Sequence, residues 1–162
     1  MKEKIQNLIK YILSQYPYKS ELSVSRLTKI LYLADWKSAL ENNKQITDAK
    51  WYFNHYGPYV DDFVELATQD ENIELINTST ILGGRKKLLQ LKHSNEKKLA
   101  IDPDEKKLID YVINATKSKN YEDFIKLVYS TYPVLTSGRY SELDLINSAG
   151  KYKKILAEKS HV

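Results

Sequence analysis

The sequence predicts a mainly α-helical domain, α+β by class, with about six helices and one antiparallel β-hairpin. Three observations carry that reading. Apolar residues recur at steps of three and four along most of the chain, which is the period of a helix with one buried face. Alternation of period two is confined to two short runs on either side of Gly83-Gly84. The 162 residues, 42 % hydrophobic and 28 % charged, suit one unit with its own core, spanning 1–162.

The first helix is expected over residues 2–15, where Ile5, Leu8, Ile9, Ile12 and Leu13 form a stripe. Pro17 ends it by disfavouring helical geometry in the residue before it. A second helix should open near Leu22 or Ser23, with Ser23 as cap. Val24, Leu27, Ile30, Leu31 and Ala34 give its core stripe, and Tyr32, Leu33 and Trp36 widen it, so this helix should be central. It ends at residues 41–44.

Residues 46–56 are dense in aromatics, and two geometries stay open: a short helix capped by Thr47, or an extended piece. Gly57-Pro58 is expected to begin another helix, with proline at its first position. Tyr59, Val60, Phe63, Val64 and Ala67 follow at helical spacing to about Thr68. Asp61, Asp62 and Glu65 would then face the positive end of the helix dipole.

Ile73 and Leu75, then Leu89 and Leu91, alternate with polar neighbours, so residues 72–93 read as the hairpin, with glycine at the reversal. Asp102 caps the next helix, Pro103 takes its first position and Glu105 is placed to reach back to the cap amide. Leu108, Ile109, Val112 and Ile113 run on to about Lys117. A helix capped near Asn120 carries Tyr121, Phe124, Ile125 and Val128 and stops before Tyr132-Pro133. The last helix is expected from Ser141, with Gly150 as a weak point and a basic end that frays. The C-terminal helices thus cover 103–158.

Composition removes several chemistries. Without cysteine there are no disulfides, thiolate nucleophiles or Cys-ligated metals, which suits a reducing cytoplasm. Five glycines leave no phosphate cradle. His55, His93 and His161 share no ligand spacing, and Ser23, Ser25 and Thr28 have no nearby base. No catalytic residue, metal or cofactor is expected, and the protein reads as a non-enzyme. His55 reads as a packing or capping residue beside the turn. The first eight residues do not resemble a signal peptide, and no apolar run is long enough for a membrane span.

What remains is surface chemistry. The chain has 13 Tyr, and the cluster Trp51, Tyr52, Tyr56, Tyr59 and Phe63 is a candidate patch for a partner protein, with base stacking as the other use open to such rings. The net charge of +4 concentrates in Arg85, Lys86 and Lys87, followed by Lys92, Lys97, Lys98, Lys106 and Lys107. A basic hairpin on a helical domain invites comparison with the wing of a winged-helix DNA binder. Against that, no helix carries the Arg, Asn and Gln needed to read base edges. The lysines also suit a solvated strand edge.

The block from Leu27 to Trp36, with Ile46-Thr47, Trp51 and Tyr56-Gly57-Pro58, resembles the SocA-like Panacea domain. Leu27, Lys29, Leu31, Tyr32, Trp36, Trp51, Tyr56, Gly57 and Pro58 match its pattern in order. The likeness is specific over a motif core of 22–70 and looser over 103–150. Tyr59 departs from it, where Val or Ile is common, and the stretch between Lys44 and Lys50 is short. The resemblance implies a bacterial, phage-associated or toxin–antitoxin protein, cytoplasmic and non-enzymatic. It would neutralise a protein toxin, encoded by an adjacent gene, through direct binding. One branch resembles adaptors that deliver a client to a protease, which is kept as an alternative beside a nucleic-acid regulator using Arg85, Lys86 and Lys87. Leu27, Lys29, Leu31, Tyr32, Trp36, Gly57 and Pro58 are read as structural. Lys29 would place its charge on a carboxylate or helix end, and Trp36, Trp51 and Tyr56 would wedge the turn against the central helix.

Overall fold

The computed structural model describes residues 2–94 and 99–160, so Lys97, Lys98 and His161 lie outside the described residues. The chain is mainly α, with two small antiparallel sheets. In order it forms α1 (Lys2–Gln15), α2 (Val24–Asn42), β1 (Trp51–Asn54), β2 (Gly57–Tyr59), α3 (Phe63–Thr68), β3 (Ile73–Ser79) and β4 (Arg85–Leu91). Then follow α4 (Pro103–Thr116), α5 (Tyr121–Tyr129), α6 (Tyr132–Thr136), β5 (Glu142–Leu143) and α7 (Leu145–Lys159). Among the described residues no helix is long and apolar enough to cross a membrane.

Helix α2 is the axis of the fold. Ser23 caps it by accepting from the Arg26 amide at 3.1 Å, and Asn43 closes it in the left-handed region at φ 58°. Its middle is buried all round, because α4, α5, α7, β2 and β4 pack on different sides of it. Tyr32 sends its ring edge to Trp51 at 5.5 Å and its hydroxyl to Thr131 at 2.8 Å. Trp36 leans on Tyr152 of α7 at 6.1 Å.

One carboxylate decides the path of the chain after α2. Asp35 is wholly buried and accepts from the Ile46 amide (2.8 Å), the Thr47 amide (2.9 Å), the Thr47 hydroxyl (2.5 Å) and Trp51 Nε1 (2.9 Å). Burial pushes its carboxyl up to about 6, with those four donors pulling the other way. Residues 46–51 are thereby laced to the helix in a non-helical path. Of the two geometries open for this region, the extended one is found, and Thr47 is a donor to Asp35, not the cap of a helix.

β1 is the middle strand of a three-stranded sheet ordered β2-β1-β5. Tyr52 pairs with Tyr59 and Asn54 with Gly57, leaving His55 and Tyr56 as a two-residue turn. The expected helix start at Gly57-Pro58 is therefore corrected: both residues lie in a strand. Pro58 is tolerated there because β2 is an edge, where a missing amide costs no ladder bond. Asp62, at φ 58°, breaks the backbone once more, and α3 opens only at Phe63. Of the three acids expected at that helix start, Glu65 alone lies in its first turn, and Asp62 makes no side-chain cap bond.

One further boundary differs, one short helix is added and one side-chain role changes. Residues 142–143 pair with β1, so the last helix starts at Leu145, capped by Asp144, and passes through Gly150 without a break. α5 stops before Tyr132-Pro133 as expected, and that pair opens an additional short helix, α6, since proline in a first turn needs no amide partner. Asp102 caps α4 as expected, but Glu105 turns instead to Lys4, 2.7 Å away. The hairpin β3–β4 matches its reading, in register from Ile73↔Leu91 to Ser79↔Arg85. Its base is buried at Ile73 and Leu89, and its tip leaves Ile81 and Leu82 fully exposed. Gly83 supplies the positive φ of 83° that the reversal needs.

Candidate functional site

Four separated stretches meet around one open groove of about 1240 Å³. Its floor is the first turns of α2. One wall is the upper half of the β3–β4 hairpin, with Arg85, Lys86 and Lys87. The β1–β2 turn, with Tyr56, Gly57 and Tyr59, and the start of α5, with Asn120 and Tyr121, complete the lining. Tyr56 and Tyr59 of the aromatic reading and Arg85, Lys86 and Lys87 of the basic one thus share one concavity.

Two buried cations lie in the floor, in unlike states. Arg26 donates to the carbonyls of Thr116 (2.8 Å) and Lys119 (2.6 Å), closing the end of α4, and its guanidinium lies 4.7 Å from the Phe124 ring centre. Its task is structural. Lys29, only 4 % exposed, donates to Ser25 Oγ at 3.0 Å, and among the described residues no carboxylate lies within ion-pair distance of it. Ser25 Oγ in turn shares a 2.7 Å hydrogen bond with the Tyr121 hydroxyl. Burial lowers the Lys29 pKa from 10.5 to about 8. The expectation that Lys29 rests on a carboxylate or helix end is corrected: it has a neutral partner.

Gly57 makes room for this arrangement. It sits at φ 102°, and a Cβ there would come within 3.0 Å of the Tyr129 ring and 3.3 Å of Lys29 Cε. Gly57→Ala is expected to cost about 1–2 kcal/mol from backbone strain and crowding. A thermal melt checks it, and an unchanged midpoint would show that the turn has slack.

The walls divide the residues named as a partner patch. Tyr56 is 74 % exposed, Tyr59 38 % and Tyr121 46 %, all on the rim. Tyr52 is half-buried outside the groove. Trp51 at 1 % and Phe63 at 4 % belong to the core, so neither offers a surface. Nor does Tyr56 wedge the turn against α2. Its ring meets His55 edge-on at 4.7 Å, and both side chains are in solvent, so His55 neither packs in the core nor caps. Trp51 is bound to α2 through Asp35, while Trp36 braces α7. Leu27, Leu31 and Tyr32 are buried.

On the basic wall, Arg85 and Lys87 are exposed, while Lys86 turns back to the Ser20 carbonyl. Among the described residues five basic side chains line the groove against one acid, Glu21, which biases its field to positive. Among the described residues no three His, Cys, Asp or Glu side chains gather as a metal site. Sequence reasoning missed Tyr121 and Ser25, which carry no local signal, and Asp35, whose signal was an acid on the apolar face of a central helix.

The family model described as "Antitoxin SocA-like, Panacea domain" matches residues 27–133. That span holds Lys29, the Gly57 turn, the hairpin and Tyr121, and omits α1 and α7. No curated protein and no solved structure matches the chain.

Proposed function

This chain belongs to the SocA-like Panacea family of antitoxin-like domains, and from that premise we propose that it neutralises a partner toxin by direct protein–protein binding in the groove. The observation that carries the reading is the convergence of Lys29 and the Gly57-Pro58 turn with exposed Tyr56, Tyr59 and Tyr121 around one concavity. Tyrosines of this kind bring apolar area and a polar tip to an interface at small entropic cost. The toxin is sought in the neighbouring open reading frame.

Co-expression tests the proposal. Growth arrested by the neighbouring gene product should be restored by this chain. The double variant Tyr56→Ala, Tyr59→Ala should keep its fold, since both rings are exposed, yet bind the toxin about tenfold or more weakly. Arrest that the wild-type chain leaves unrelieved tells against the proposal.

A further inference from the structure

We infer that the groove receives an acidic segment of the partner polypeptide, one of whose side-chain carboxylates pairs with Lys29. The inference rests on the antitoxin reading for the existence of a partner and adds the partner's chemistry.

The argument starts from an incomplete ion pair. An ammonium has three donors, and a buried one is normally paired with a charge. Lys29 has the Ser25 hydroxyl, itself shared with Tyr121. Among the described residues the buried or half-buried acids are engaged elsewhere: Asp35 with the segment after α2, Asp70 with Lys10 at 2.7 Å, Glu105 with Lys4, Glu74 with Gln90 and Asp110 with the Tyr11 hydroxyl. Yet Lys29 lies in the floor of an open groove, not in a closed core. A counter-charge can therefore arrive from outside, and Arg85 and Lys87 add attraction along the way.

The shape of the charge favours a polypeptide. A recessed single cation between tyrosine rims fits a carboxylate on a short stem with apolar neighbours beside it. A nucleic-acid backbone presents phosphates at regular spacing and calls for a row of free cations. Lys86 is committed to the Ser20 carbonyl, and the other two hairpin cations stand on one wall.

Fluorescence anisotropy on the full chain tests this with three labelled probes. One is a peptide repeating Glu, Leu, Asp and Phe, the second repeats Gln, Leu, Asn and Phe, and the third is an oligothymidylate. The acidic peptide should bind saturably, and the amide peptide about tenfold or more weakly. Lys29→Met should weaken the acidic peptide by a similar factor. Because the peptide pair varies the charge on the probe, the comparison does not depend on any variant folding. Equal binding of the two peptides, no saturable binding, or an unchanged affinity in Lys29→Met overturns the inference. Tighter binding of oligothymidylate, lost in the double variant Arg85→Glu, Lys87→Glu, overturns it in favour of nucleic acid. The readout is separate from toxin rescue: failed rescue tells against the antitoxin reading, and failed charge discrimination against this one.

Discussion

Asp35→Ala is expected to destabilise the protein by about 4 kcal/mol, enough to remove much of the stability of an ordinary domain. The substitution leaves four donors in a dry interior: two backbone amides, the Thr47 hydroxyl and the Trp51 indole. Each unsatisfied buried donor costs roughly 1–3 kcal/mol, reduced where the chain can relax toward water. Little relaxation is open here, because Ile46, Thr47 and Trp51 are all buried. Asp35→Asn should fall between, since its amide oxygen still accepts from the backbone while its NH₂ opposes the indole and hydroxyl. Urea denaturation followed by tryptophan fluorescence measures both. A loss below about 1 kcal/mol in Asp35→Ala would mean that residues 46–51 hold their path without this carboxylate.

The second large effect has the opposite sign. Lys29→Met is expected to stabilise the chain at pH 7 by roughly 2–3 kcal/mol, because it removes a buried charge that has no counter-charge among the described residues. A fall in pKa from 10.5 to about 8 converts to roughly 3 kcal/mol, and the loss of the contact to Ser25 trims it. The pH dependence follows from proton linkage. Between about pH 8 and 10.5 the unfolded chain holds this proton more tightly than the native one, so wild-type stability gains with rising pH through Lys29. The variant lacks that gain, so its advantage should be full below pH 8 and shrink toward pH 10. Chemical denaturation of both proteins at several pH values checks it, and a variant less stable than wild type at pH 7 would reverse the reading. A residue that weakens the free protein is what a binding site, not a scaffold position, would retain.

Much of the helical framework was legible in the sequence. The stripes of α1, α2, α4 and α5 have a period that only a helix satisfies, and Ser23, Asp102 and Asn120 cap as their side-chain chemistry suggests. The hairpin was legible from its period of two. The stretch after Gly57 was not, because glycine before proline suits a helix start and an edge strand equally, and Val60, Phe63 and Val64 match helical spacing in either case. What decided it was pairing with β1, itself joined to Leu143 far along the chain. Aromatic density likewise could not show which face each ring takes: Trp51 and Phe53 turn inward from the strand while Tyr52 between them does not. The groove was the least legible feature. Lys29, Tyr56 and Arg85 each drew attention alone, but nothing local says that they share a cavity.

Because that cavity is assembled from residues near 25, 57, 86 and 121, no short fragment of the chain contains it. Any deletion that cuts between residues 21 and 121 would remove part of its lining. Conversely, exchanges at Tyr56, Tyr59, Arg85 and Lys87 redraw its outline while the packing beneath stays as it is. One scaffold could in this way be refitted to differently shaped clients by changing its rim alone.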